Sequence, residues 1–296
     1  MEIYRTPEDR FSSLPDYPFA PKYLTDLAGY EGLRINRVDE GEGGPTYLCL
    51  HGEPTWSYLY RRMIPEFLAD GGRVVAPDLL GFGRSDKPVD NAVYGFHFHR
   101  NMLLALIERL DLTDITLVVQ DWGGLLGLTL PMEMPERFSR LIIMNTVLAI
   151  GRPPSAGFIN WRDYVAANPD LAVGRLMARS CPHLTAAETA AYDAPWPEER
   201  SKAGVRRFPA MVMTNPDMEG VATSKRALSF WRDDWQGDSF MAVGAADPVL
   251  GPDVMAWMQN QIRNCPAPMI LPEAGHFVQE WGAEIAKAAV RHFASR

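Results

Sequence analysis

Asp121, Asp247 and His276 are of the types, and fall in the chain order, of a nucleophile, an orienting acid and a base. Asp121 stands in the run I-T-L-V-V-Q-D-W-G-G-L-L-G-L-T-L, residues 115–130. A carboxylate is already ionised at neutral pH and needs no base to attack. Attack on carbon leaves an alkyl ester that must then be hydrolysed. His276, in E-A-G-H-F, can take the proton from the water that hydrolyses it, and Asp247, in G-A-A-D-P, can orient the imidazole. Each residue alone has an ordinary reading: Asp121 as a helix cap, Asp247 before Pro248 as a turn former, His276 as a loop residue. Their joint placement, each where a strand is expected to end, points to chemistry.

The elements that must hold these side chains can be read from the pattern around them. The β-branched run before Asp121 reads as a strand and the apolar run after Gly123 and Gly124 as a helix, so Asp121 sits at a sharp strand-to-helix elbow. Upstream, L-R-I-N-R-V-D and T-Y-L-C-L read as two adjacent strands joined by E-G-E-G-G-P. The second runs into H-G-E-P-T-W, followed by helical spacing over 58–68. A loop so placed can turn the backbone N–H of Glu53 towards Asp121, with Gly52 allowing the approach. R-V-V-A-P is a further strand, and a helix is expected over 98–110. The intervening D-L-L-G-F-G-R-S-D-K-P lacks G-x-x-x-x-G-K-[ST] and is not a nucleotide cradle. R-L-I-I-M ends at Asn145, and S-F-M-A-V-G leads to Asp247 and a helix over 252–263. A-P-M-I-L leads to His276 and a terminal helix over 282–293.

Alternating strands and helices imply a parallel sheet with helices on both faces and a ligand site beyond the carboxyl ends of the strands. Glu53, Asp78, Asp121 and Asn145 are expected there with Asp247 and His276. Over 146–230 the rhythm stops, and Pro, Met and Trp accompany short helical pieces at 161–167, 171–179 and 186–192. This segment reads as an inserted helical cap that shields Asp121 from bulk water, leaving 1–145 and 231–296 as the main domain. Residues 1–32 show no period and are expected to wrap the surface.

The chain has 296 residues, 47% hydrophobic and 22% charged, with a net charge of −8. That balance gives no electrostatic reason to bind nucleic acid or anionic membrane, so a small neutral molecule is the expected ligand. Three scattered cysteines, Cys49, Cys181 and Cys265, suggest neither a disulfide framework nor a metal site and are expected to be reduced. No run approaches a membrane span, and the charged amino-terminal stretch is not a signal peptide, which makes the expected location cytoplasmic. The chain is expected to act as a monomer.

With these residues assembled, the chain resembles the haloalkane dehalogenases of the α/β-hydrolase superfamily, in the subfamily whose second halide-binding residue lies in the cap. The resemblance is carried by H-G-E-P-T-W-S-Y-L-Y-R, D-K-P, L-V-V-Q-D-W-G-G, G-F-I-N-W, D-P-V-L-G-P-D-V-M and A-G-H-F-V-Q-E, and extends over nearly the whole chain. It implies an α/β-hydrolase fold and hydrolysis of a small halogenated alkane to alcohol, halide and proton. Asp121 would be the nucleophile, His276 the base and Asp247 the acid. Trp122 and Trp161 would bind the halide, and the N–H groups of Glu53 and Trp122 would form the oxyanion hole. No metal or organic cofactor is implied. Relatives with Asn after the His-Gly pair place their acid after the sixth strand. Here Glu53 holds the first place and Asn145 the second, which leaves the acid to Asp247. Val119, where serine hydrolases carry glycine, departs from the usual elbow.

Two other readings carry distinct signals. An epoxide hydrolase shares fold and triad but protonates an oxygen leaving group with cap tyrosines, for which Tyr164 and Tyr192 are available. An indole can stabilise a halide but cannot protonate an alkoxide, so Trp122 and Trp161 weigh against it. A non-catalytic ligand-binding protein on this scaffold would have no use for a complete triad.

Overall fold

The computed structural model describes residues 1–295. Its strands are β1 (Ile3–Tyr4), β2 (Lys22–Leu24), β3 (Ile35–Glu40), β4 (Thr46–Leu50), β5 (Arg73–Pro77), β6 (Lys87–Pro88), β7 (Ile115–Val119), β8 (Phe138–Met144), β9 (Asp238–Gly244) and β10 (Met269–Leu271). Its α-helices are α1 (Ile64–Ala69), α2 (Phe96–Arg109), α3 (Trp122–Gly127), α4 (Ala156–Ala167), α5 (Val173–Ser180), α6 (Ala186–Asp193), α7 (Ala203–Met211), α8 (Val221–Ser229), α9 (Pro252–Gln259) and α10 (Gly282–Ala294). Eight strands form one sheet in the order β10-β9-β8-β7-β4-β5-β3-β2. The six from β10 to β5 run parallel, and β3 and β2 complete the edge antiparallel. The central strands T-Y-L-C-L and I-T-L-V-V are buried at every position because helices cover both faces.

The structure departs from the sequence reading in four places. The strands before and after E-G-E-G-G-P are not adjacent, since β5 lies between β4 and β3. Glycines make this crossing possible: a Cβ on Gly41 or Gly44 would lie 2.4 Å from the carbonyl oxygen of Gly72 or Gly71, in the turn that enters β5. The helix expected over 58–68 breaks into a 3₁₀ turn at Ser57–Tyr60 and α1, which restarts with Pro65 in its first turn. Residues 1–32 do more than wrap, because β2 extends the sheet and β1 pairs with β6, with Phe11, Tyr17, Leu24 and Leu27 buried beneath them. Between 146 and 230 there are five α-helices rather than three pieces, with α7 and α8 added.

One buried ionic cluster joins three distant stretches. Arg61, fully buried, donates to Glu280 at 2.7 and 2.8 Å and to Glu188 on α6 at 2.9 Å. Arg62 donates to the same two carboxylates, and the Tyr192 hydroxyl to Glu280. Burial opposes charge on Glu188, but the Thr185 N–H and Arg61 outweigh it and hold the carboxyl down at about 2.

Candidate active site

The elbow is sharper than a helix cap requires. Asp121 has φ 49°, in the left-handed region, with its side chain aimed away from the strand. Its backbone is held on both sides: its N–H donates to the carbonyl of Asn145 at 3.1 Å, and its carbonyl accepts from the Thr146 hydroxyl at 2.7 Å. Gly123 is required by a close approach, since a Cβ there would sit 1.9 Å from the carbonyl oxygen of Leu50. Gly123→Ala is therefore expected to destabilise the protein by about 3 kcal/mol or more, because backbone rather than a flexible side chain must move. Denaturant unfolding checks this, and a loss under about 1 kcal/mol would show that β4 and α3 can separate. Val119 fits where a glycine was expected because the small residue has moved along the helix. A Cβ on Gly127 would lie 2.8 Å from a Val119 methyl.

The loop after β4 reaches the same point. The Glu53 N–H donates to Asp121 Oδ1 at 2.8 Å, and a Cβ on Gly52 would fall 2.4 Å from that oxygen. His276 Nε2 lies 3.5 Å from Asp121 Oδ2, and Nδ1 lies 2.8 Å from Asp247 Oδ2. Asp247 is itself fixed, with Oδ1 accepting the N–H of Val249 and of Leu250 at 2.9 and 3.1 Å and Oδ2 accepting Asn145 Nδ2 at 3.0 Å. Burial would raise the Asp247 carboxyl, but His276 and these donors keep it down at about 2. Burial works against charge on His276 too, yet Asp247 and then Asp121 raise its pKa well above the usual value. The Glu53 carboxyl is also pushed well up, since burial and the neighbouring Asp121 charge favour its neutral acid.

Glu53, Asp121, Trp122, Trp161, Asp247 and His276 all line one cavity of about 490 Å³, walled otherwise by apolar residues such as Leu125, Val147, Phe158 and Pro209. Asp121 and His276 are the reachable members, with side chains 17% and 21% exposed, and Asp247 is fully buried. Trp196, Trp231 and Trp235 commit their indole N–H groups to Gly81, Leu128 and Ser239. Trp122 makes no such bond among the described residues, and Trp161 approaches only the Glu53 carboxyl. Asp78 lies outside the cavity, fully buried and accepting from Asn36, Ser57 and Arg84. The two cap tyrosines are also elsewhere: Tyr192 is fully buried in the ionic cluster, and Tyr164 lines a separate depression. One residue in contact with the site received no role from the sequence. Gln120 Nε2 lies 3.1 Å from His276 Nε2, and the only signal for it was a polar residue closing an apolar strand just before Asp121.

An ionised carboxylate at the floor of an apolar cavity, beside an imidazole held by a second carboxylate, can attack an electrophilic carbon and then have its ester hydrolysed. Residues 45–283 match the family model of the alpha/beta hydrolase fold. The chain is 40% identical to a haloalkane dehalogenase of Psychrobacter cryohalolentis, over 98% of each chain, and 43% identical to haloalkane dehalogenase 1 of Mycobacterium bovis, over 97% of each. Among solved structures, a haloalkane dehalogenase from Paraglaciecola agarilytica, described as tetrameric, superposes with a TM-score of 0.96 at 51% identity, covering 97% of each chain. The monomer expected from sequence finds no support in that relative. No helix among the described residues is long and apolar enough to cross a membrane. Likeness of this extent settles the family: the chain belongs to the haloalkane dehalogenases of the α/β-hydrolase fold.

Proposed function

We propose that this enzyme hydrolyses small halogenated alkanes to alcohol, halide and proton through an alkyl ester of Asp121. The observation that carries the reading is the division of labour between the two Asp121 oxygens. Oδ1 is tied to the Glu53 N–H at 2.8 Å, whereas Oδ2 faces His276 Nε2 at 3.5 Å. Oδ2 attacks the carbon, the carbon–halogen bond breaks, and the halide leaves with the electron pair. Negative charge moves from carboxylate to leaving atom, where the indole N–H groups of Trp122 and Trp161 meet it. Water then gives a proton to His276 and bonds to Asp121 Cγ, with the oxyanion on Oδ1 held by the N–H groups of Glu53 and Trp122. The Cγ–Oδ2 bond breaks, His276 returns its proton to the alcohol oxygen, and the remaining acid proton is lost to solvent. None of these steps calls for a metal or organic cofactor.

Helices α4–α8, over 146–230, act in this reading as the cap on a main domain formed by 1–145 and 231–296. Trp161 on α4 brings the second indole from that side, and Phe208 on α7 packs against Trp122 with ring centroids 4.8 Å apart. Three cysteines without disulfide partners favour a cytoplasmic location. Incubation with 1,2-dibromoethane and, separately, styrene oxide tests the activity. Bromide release with little diol from the epoxide is expected, and the reverse would make this an epoxide hydrolase.

Trp161→Phe keeps most of the apolar area and deletes one N–H. Halide affinity should fall by about one to two powers of ten, the loss of a charge-assisted hydrogen bond worth about 1.5–3 kcal/mol. Bromide quenching of tryptophan fluorescence measures the affinity. Single-turnover kinetics should show slower carbon–halogen cleavage with ester hydrolysis little changed. If affinity and cleavage both stayed within about twofold of the native values, Trp161 would be a wall of the cap and not a halide donor.

A further inference from the structure

Gln120 is fully buried and makes three contacts that the steps above do not use. Its Nε2 donates to the carbonyl of His276 at 3.0 Å and lies 3.1 Å from His276 Nε2, and its Oε1 accepts from Gln279 Nε2 at 3.3 Å. The His276 carbonyl decides which end of the amide faces the ring. A carbonyl only accepts, so the atom beside it must be the NH₂ group, and the reversed amide would set two oxygens against each other. The second N–H of that group is then left for His276 Nε2, which can accept it only while carrying a lone pair. Nδ1, against Asp247 Oδ2 at 2.8 Å, must carry the ring proton.

We propose that Gln120 is a positioning residue that selects the tautomer of His276, holding the ring with its proton on Nδ1 and its lone pair on Nε2, the form able to take a proton from water. The inference rests on His276 being the base of the reaction proposed above.

The need for such a group follows from the charges around the ring. Asp247, Asp121 and Glu53 face it, and Arg179 and Glu273 stand further out on the cavity wall, both exposed to solvent. Asp247 and Asp121 draw His276 towards imidazolium, and an imidazolium cannot accept a proton. A fixed N–H donor against Nε2 opposes them, because two donors would confront one another if Nε2 were protonated. Ester formation removes the charge on Asp121, leaving Gln120 set against Asp247 alone when the base is needed. Nε2 has a single lone pair, so the Gln120 N–H gives it up to the hydrolytic water when that water enters. Once Nε2 has taken the proton, the repulsion between the two N–H groups tilts the ring so that Nε2–H faces Oδ2, the oxygen that leaves with the alcohol.

The test uses ¹⁵N-histidine-labelled enzyme, with the His276 signal assigned by its absence in His276→Gln. The His276 titration is expected to rise by about one pH unit in Gln120→Leu, which removes the donor, and by about two in Gln120→Glu, which places an acceptor there. After a single turnover with 1,2-dibromoethane, the acidic limb of ester hydrolysis should move up by the same amounts, with the rate recovering at alkaline pH. A slowing equal at all pH values with an unmoved titration would reduce Gln120 to packing and overturn the proposal, as would a titration that moved down. If Gln120→Leu does not fold, Gln120→Glu, which keeps the shape, decides alone. A raised titration in protein that never forms the ester would leave this inference standing and sink the dehalogenase reading instead.

Discussion

Asp121→Ala protein is expected to fold and to release bromide from 1,2-dibromoethane about four powers of ten more slowly than the native enzyme, or slower still. The other carboxyl groups of the cavity are poorly placed to take its part, with Glu273 exposed to solvent on the outer wall. Asp247 is fully buried behind His276, and Glu53, which lies closest, is held as the neutral acid by burial and by Asp121 itself. Removing Asp121 also removes that charge, so Glu53 ionises more readily in the variant, but its backbone is committed to the oxyanion loop. The fold survives because the backbone bonds of residue 121 to Asn145 and Thr146 do not involve its side chain. Alanine tolerates φ 49° poorly, so a stability loss of about 1–2 kcal/mol accompanies the substitution. Circular dichroism establishes the fold and an ion-selective electrode the rate. Bromide release above about 3% of native by folded variant would take the nucleophile role away from Asp121.

His276→Gln separates the two halves of the reaction. Ester formation needs no base, and glutamine leaves the Asp121 side chain in place, so the variant is expected to release about one bromide per active site in a burst. Hydrolysis then slows by about two to four powers of ten, since no group remains to take the proton from water. The enzyme accumulates as the Asp121 ester. Intact-mass measurement shows the added bromoethyl group, and peptide mapping places it on residue 121. Continued turnover at near-native rate, or protein that stayed unmodified after the burst interval, would show that His276 does not divide the steps in this way.

Much of the site could be read from the sequence because its residues follow strand ends, where short local patterns are strong. Asp121, Asp247 and His276 each close an apolar run, and the structure brings all three to one cavity with Glu53, Trp122 and Trp161. What could not be read depends on distant partners. Whether β3 pairs with β4 or β5 is decided by how the 41–45 loop crosses Gly71 and Gly72, and neither alternation nor propensity contains that crossing. Helix α7 carries Pro209 and is not among the helical pieces that the pattern offers, yet its Phe208 packs against Trp122. The orientation of the Gln120 amide comes from His276 and Gln279, more than 150 residues away along the chain. Tyr192, available by residue type as a proton donor, commits its hydroxyl to Glu280, far from it in the chain.

The cluster of Arg61, Arg62, Glu188, Glu280 and Tyr192 welds α6 to the stretches that carry Arg61 and Glu280. Arg61 is separated from Glu188 by 127 residues and from Glu280 by 219, so three stretches of chain meet at charges that water does not reach. Lifting α6 away would strand a guanidinium and a carboxylate without partners, at a cost of about 3–5 kcal/mol, so α6 leaves its place in fewer than about one molecule in a hundred. Helix α5 packs on α6, with the Gly174 N–H donating to Asp193 at 2.8 Å, whereas α4 carries no buried ion pair among the described residues. Arg162 on α4 pairs only with its neighbour Asp163, both part-exposed, and Trp161, Leu176 and Arg179 border the cavity directly. The α6 side therefore stays closed over Glu280, four residues beyond His276. The weld thus fixes a support four residues beyond His276 without forming any of the cavity wall, so substitutions at Trp161 or Leu176 can reshape that wall while the anchor under α6 stays intact.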